Sequence, residues 1–108
     1  MTIRLPDAIK NYFEMSNGSV PAQASECFSQ DAAVLDEGGT YKGHTAISSW
    51  IKETREKYEF SAKPINITTK DQHEIVEAEV SGNFPGSPAV LTYSFLLNND
   101  KIQSLEIS

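Results

Sequence analysis

The sequence has a single cysteine, Cys27, so no intrachain disulfide can form and the fold must be held by its core. Its two histidines, His44 and His73, stand far apart. With no CxxC or HxxxH spacing, no pattern gathers metal ligands. No apolar run approaches the roughly twenty residues a bilayer-spanning helix needs. The opening residues, MTIRLPDAIKNYF, lack the apolar stretch and small-residue cleavage site of a secretion signal, so a cytoplasmic protein is expected. Positive charge is also scarce: nine Lys and Arg against fifteen Asp and Glu, a net charge of −6. The basic residues are scattered, leaving no face for nucleic acid or an anionic membrane. Gly38, Gly39 and Gly43 lie outside any strand-to-helix phosphate fingerprint, so no cofactor is indicated.

What the sequence does contain is enough for one domain, residues 1–108, with a single core. Leu5, Ile9, Tyr12 and Phe13 recur at helical spacing from Leu5 to Ser16, and Asn17-Gly18 ends that helix. A second helix is expected from about Ser19, with Pro21 in its first turn and Val20, Ala24, Cys27 and Phe28 on its buried stripe. Cys27 then reads as a small buried hydrophobe. A strand from Ala32 to Leu35, a turn at Gly38-Gly39 and a short partner strand at Thr40 to Lys42 follow. The third helix has Thr45 as its cap and Ile47, Trp50, Ile51 and Tyr58 as its apolar stripe.

From Phe60 the hydrophobic period changes from helical to two. Ile65, Ile67 and Thr69 alternate with polar residues, as do Val76, Ala78 and Val80, and Lys70-Asp71-Gln72 joins the two strands. Gly82 to Pro88 makes a stiff turn. Val90 to Leu97 is apolar at most positions, and Asn98-Asn99-Asp100 leads into a last strand, Ile102 to Ile107. Helices clustered before an antiparallel sheet indicate an α+β domain.

Three helices, an early strand pair and four long strands resemble the cone-shaped α+β barrel superfamily. That group includes nuclear transport factor two, ketosteroid isomerase, scytalone dehydratase and the SnoaL-like polyketide cyclases. The stretch CFSQDAAVLDEGGTYKGHTAISSWI, Cys27 to Ile51, carries the likeness, and GNFPGSPAVLTYSFLLNNDKIQSLEIS resembles the last two strands of SnoaL-like proteins. The resemblance implies three helices packed on a strongly curved, mainly antiparallel sheet around a cavity. It further implies an apolar small-molecule ligand, and a homodimer formed through the outer sheet face, to which Ile65 and Ile67 would contribute. The fold itself hosts many unrelated activities.

Residue by residue, the general base of ketosteroid isomerase matches Asp36, and its pocket tyrosine matches Tyr12. A carboxylate partly removed from water can shuttle a proton near neutrality. The plainer alternative for Asp36 is a strand-end residue bonding the glycine turn, and for Tyr12 a core residue with its hydroxyl at the pocket. The isomerase's second donor, a protonated acid, has no counterpart in LTYSF, where Tyr93 or Ser94 stands nearest. Its supporting tyrosines are replaced by Phe28 and Ile51. The expected cavity wall comprises Trp50, Phe28, Tyr93, Phe95 and Ile51. Alternation on the penultimate strand puts Leu91, Tyr93, Phe95 and Leu97 on one face and Val90, Thr92, Ser94 and Leu96 on the other, and leaves open which lines the cavity. Asp31 reads as structural, His44 as a helix cap and His73 as a solvated hairpin residue.

Overall fold

The structure, a computed structural model, describes residues 5–18, 25, 27–36, 38–57 and 59–108. Helix α1 runs from Asp7 to Ser16. Pro6 precedes it in an extended conformation, and the Pro6 carbonyl accepts the Lys10 N–H at 2.9 Å. Asp7 places negative charge at the helix N-terminus, where the macrodipole favours it. Ile9, Tyr12, Phe13 and Met15 form the buried stripe, and the helix stops at Asn17 and Gly18, the latter with φ +81°. Asn17 also acts on the sheet. Its side chain donates to the Ala62 carbonyl at 2.9 Å and accepts from the Ala62 N–H at 2.8 Å, the pairing a neighbouring strand would offer.

The second of the three expected helices falls largely on residues 19–24 and 26, outside the described residues. Its expected last residues are not helical: Cys27 lies in a turn, and Phe28 opens strand β1, Phe28–Asp36. The competing force is strand pairing. The Ile102 N–H donates to the Cys27 carbonyl at 2.7 Å, and Phe28 pairs with Ile102, so β1 begins four residues before the expected Ala32. Strand β2 is Gly39–Lys42 and helix α2 is Gly43–Lys57. Thr45 therefore sits inside the first turn of α2 rather than capping it. The remaining strands are β3, Phe60–Lys70; β4, His73–Gly82; β5, Ala89–Asn98; and β6, Lys101–Ile107.

The six strands form one sheet in the order β2-β1-β6-β5-β4-β3. Every neighbouring pair is antiparallel except β1 with β6. Two-residue turns at Asp71-Gln72 and Asn99-Asp100 close the β3–β4 and β5–β6 hairpins, all four residues having positive φ, as matches strand twist. Register shifts interrupt β1 between Phe28 and Ala33, β3 between Pro64 and Asn66, and β5 between Leu96 and Leu97. Such bulges bend and twist a sheet, and they give this one its curvature. The bulge in β3 also corrects an expectation. Ile67 pairs with fully buried Val76 and so faces the helices, whereas Ile65 is the extra residue and lies exposed. Ile65 and Ile67 therefore do not share a face. At the end of β4, a Cβ on Gly82 would collide with the Glu59 carbonyl and Phe60, so only glycine lets the chain cross there.

Helices and sheet enclose one core. Its fully buried large side chains are Phe28, Phe95, Ile9, Met15, Ile47, Ile102, Leu105 and Val34. No helix among the described residues is long and apolar enough to cross a membrane.

Candidate functional site

Next to this core, the helix-facing side of the sheet is hollow. A cavity of about 480 Å³ is walled by Tyr12 and Ser16 of α1, Asp36 of β1 and Trp50, Ile51 and Thr54 of α2. Phe60, Val80, Ala89, Leu91, Tyr93 and Ile107 come from the sheet, and Phe84 and Pro85 from the loop after β4. Strand alternation explains how Asp36 arrives there. Val34, two residues earlier, is fully buried, so Asp36 points to the same helix-facing side. The apolar run of β1 thus ends on a carboxylate because the core beneath it ends too.

Trp50 fixes that carboxylate: its indole N–H donates to Asp36 Oδ2 at 3.1 Å. Trp50 in turn lies parallel to Tyr12, with ring centroids 6.2 Å apart and planes 6° off parallel. Tyr41 also leans on Trp50, with ring centroids 5.9 Å apart and planes tilted by 30°. Thr54, one turn on, donates to the Trp50 carbonyl at 2.7 Å. Both cavity phenols are held in the protonated state. For Tyr12, burial pushes the pKa well above its ordinary value of 10, and Tyr93 and Asp36 add to the shift, while a hydrogen bond with Ser16 opposes it. For Tyr93, burial comes first again and the negative charge of Asp36 second. An anionic phenolate would have to form in a buried position near a carboxylate, which both effects disfavour.

The structure thus brings Asp36, Tyr12, Trp50, Ile51 and Tyr93 to one wall. On β5 the face that lines the cavity is that of Leu91 and Tyr93. Phe28 and Phe95, expected on the wall, sit a layer deeper, at 1% and 0% exposure. Their rings meet Tyr12 edge-on at 6.0 and 5.7 Å and so support the wall from behind. His44 does not cap α2 but ties it to the sheet, its Nε2 donating to the Phe28 carbonyl at 2.8 Å. Asp31 is exposed, with Gln103 Nε2 3.4 Å from its Oδ1. His73 Nδ1 bonds the Asp71 carbonyl at 3.0 Å within the hairpin.

Sequence reasoning missed Ser16, Thr54, Phe60, Val80, Phe84, Pro85, Ala89 and Ile107. Ser16 follows Tyr12 by four residues and Thr54 follows Trp50 by four, so helical periodicity was a signal for both. For Phe84 and Pro85 the only hint was an apolar pair inside a turn. Chemically, the site offers one carboxylate, two neutral phenols and an indole N–H in a mainly apolar hollow. Among the described residues, no three His, Cys, Asp or Glu side chains cluster to hold a metal.

No family model and no curated protein matches the sequence. Solved structures do. A Sinorhizobium meliloti protein provisionally named a polyketide cyclase is 38% identical and superposes with a TM-score of 0.89, over 96% of this chain and 95% of that one. A Catenulispora acidiphila protein with a ketosteroid isomerase-like fold, solved in complex with trimethylamine, is 19% identical with a TM-score of 0.82. That likeness covers 97% of this chain and 86% of the other. An Agrobacterium tumefaciens protein provisionally named an isomerase of the SnoaL-like family is 13% identical with a TM-score of 0.74, over 93% and 92% of the two chains. The last two likenesses are of fold alone.

Proposed function

The chain belongs to the SnoaL-like, ketosteroid isomerase-like family of the nuclear transport factor two-like superfamily, and from that premise we propose that it binds an apolar small molecule and moves a proton through Asp36. The reaction type is a cofactor-independent isomerisation, cyclisation or dehydration. One observation carries the reading: a carboxylate and two phenols kept neutral share one largely apolar cavity.

In this scheme Asp36 removes a proton from a carbon beside a substrate carbonyl, and the phenols of Tyr12 and Tyr93 donate hydrogen bonds to the oxygen as negative charge develops on it. Donors already in place in a water-poor site stabilise that charge most effectively. Tyr93 serves where the isomerase uses a carboxylic acid kept neutral by apolar surroundings. The Trp50 N–H holds the carboxylate plane toward the cavity. Mass spectrometry of co-purifying molecules, with a panel of enolisable ketones and polyketide-like aromatics, identifies the substrate. Asp36→Asn keeps the shape and removes the base, so turnover should fall by ~10²–10⁴-fold with ligand affinity nearly unchanged. Full activity in Asp36→Asn would refute the scheme.

A second reading, a binder without turnover, is favoured by the apolar share of the wall: Ile51, Val80, Leu91, Ile107 and Phe84. A tightly bound ligand recovered chemically unchanged would select it. A homodimer through the outer sheet face, or a role as a dimeric association module, draws support from exposed Leu35 and Val90, at 42% and 54%. Light scattering that reports a monomer at micromolar concentration would refute the dimer.

A further inference from the structure

The hollow does not end at Ser16 and Phe60. Both residues also line a second space of about 220 Å³, whose other walls are Asn17, Arg55 and Glu59. The two helices pass from one space to the other in the same order. On α1, Tyr12 faces the first cavity, Ser16 both and Asn17 the second. On α2, Trp50, Ile51 and Thr54 face the first and Arg55 the second. The two spaces therefore adjoin, as a main chamber and an annex. Their chemistry differs. The main chamber is mostly apolar, whereas the annex holds a guanidinium and a carboxylate. Among the described residues, neither of those two side chains makes a hydrogen bond or an ion pair, with each other or with a third group. Both are nonetheless built into position. Arg55 is half-buried against the end of α1, where a Cβ on Gly18 would come within 3.3 Å of its Nη2, so the bare glycine leaves the guanidinium its room. The Glu59 backbone is tied twice to Asn83. Its N–H donates to Asn83 Oδ1 at 3.0 Å, and its carbonyl accepts the Asn83 N–H at 3.0 Å. Asn17 is already committed to Ala62.

A ligand group in the annex meets N–H donors from Arg55 and carboxylate acceptors from Glu59. An anion would gain the first and be repelled by the second, and a cation the reverse. A neutral group that both accepts and donates engages the two together. We propose that the annex binds the uncharged polar end of an elongated ligand, a carboxamide or hydroxyl that accepts from Arg55 and donates to Glu59 while the apolar body fills the main chamber. This rests on the main chamber being a small-molecule site and requires no particular role for Asp36.

Isothermal titration calorimetry near neutral pH with three probes tests the proposal. They are 3-(2-naphthyl)propanamide, the matching 3-(2-naphthyl)propanoic acid, and 2-naphthol, which has a body for the main chamber and no tail for the annex. The amide should bind severalfold tighter than the acid. Arg55→Met keeps the length of the side chain and removes its donors, so amide affinity should fall about tenfold while 2-naphthol binding is unchanged. Glu59→Gln removes the repulsion, so acid affinity should rise toward that of the amide. An acid that binds the unaltered protein as tightly as the amide overturns the proposal, and so does amide binding indifferent to Arg55→Met. If 2-naphthol still binds in those cases, the small-molecule reading survives. Failure of all three probes overturns both. Should Arg55→Met fail to fold, the selectivity of Glu59→Gln decides: a narrowed gap between amide and acid supports the annex, and an unchanged gap overturns it.

Discussion

Along α1 and β5 the molecule is two different things within two turns of helix and four residues of strand. Ile9 and Phe13 of α1, with Phe95 of β5, close on Phe28, Ile102 and Leu105 in a packed core. Tyr12 and Ser16 of the same helix, with Leu91 and Tyr93 of the same strand, face open volume. Tyr12 lies at the boundary, touching Phe28 and Phe95 on one side and Trp50 and Tyr93 on the other. The hydroxyls of Tyr12, Ser16, Thr54 and Tyr93 and the carboxylate of Asp36 gather on the hollow side. The filled half therefore supplies stability, and the hollow half holds the polar groups that a packed core would have to exclude or pair.

If this division holds, substitutions in the two halves should register in different measurements. The largest effect is expected from Phe95→Ala in the filled half, which should lower unfolding free energy by about 3–5 kcal/mol in urea titrations. A loss below about 1 kcal/mol would mean that the filled half is looser than its burial implies. In the hollow half, Tyr93→Phe should leave stability nearly unchanged yet reduce turnover by roughly a hundredfold, the cost of one oxyanion donor. Unchanged turnover together with a large stability loss would dissolve the distinction.

The third effect is pH-dependent. The folded-state pKa values of Tyr12 and Tyr93 lie above the ordinary value of 10, so the unfolded chain releases these protons first. The stability they contribute is complete below about pH 10 and declines as pH rises above it, by about 1.4 kcal/mol per pH unit for each tyrosine. Absorbance at the phenolate band should show these two of the four tyrosines ionising only as the protein unfolds. Their ionisation in the folded protein would show an open, wet cavity. The smallest effect is expected at Asn17, which belongs to neither half. Asn17→Ala removes the bonds to Ala62 and should cost about 1 kcal/mol, measured by thermal melting.

The elements governed by local rules were legible in the sequence. Apolar spacing located α1 and α2, and Asp71-Gln72 and Asn99-Asp100 marked hairpins because such residues accept positive φ. The spacing of Tyr12 and Asp36, read through the family resemblance, put both residues on what proves to be one wall. Features that depend on distant partners were not legible. Phe28 reads as helix until β6 pairs with it, and Phe28 and Phe95 read as wall until packing shows a layer in front of them. Alternation on β5 defines two faces but cannot say which meets the helices. The bulge at Pro64–Asn66 reverses the sense of alternation along β3, so the pattern of Ile65 and Ile67 predicts a shared face that the bulge removes. Phe84 and Pro85 reach the cavity because Gly82 lets β4 end against Glu59, a long-range fit that leaves no periodic trace.

The clamp between Asn17 and Ala62 has a consequence beyond the helix end it finishes. A sheet of six strands has two margins at which another chain could add itself, and a row of unsatisfied backbone groups invites this. Along β3, Asn17 already occupies the backbone of Ala62, Pro64 has no N–H to offer, and the bulge at Ile65 breaks the line. The opposite margin, β2, is four residues long. The β3 border is interrupted at Ala62, Pro64 and Ile65, and the β2 border is short. Both margins therefore disfavour the addition of a further strand, through the same side chains that close the fold.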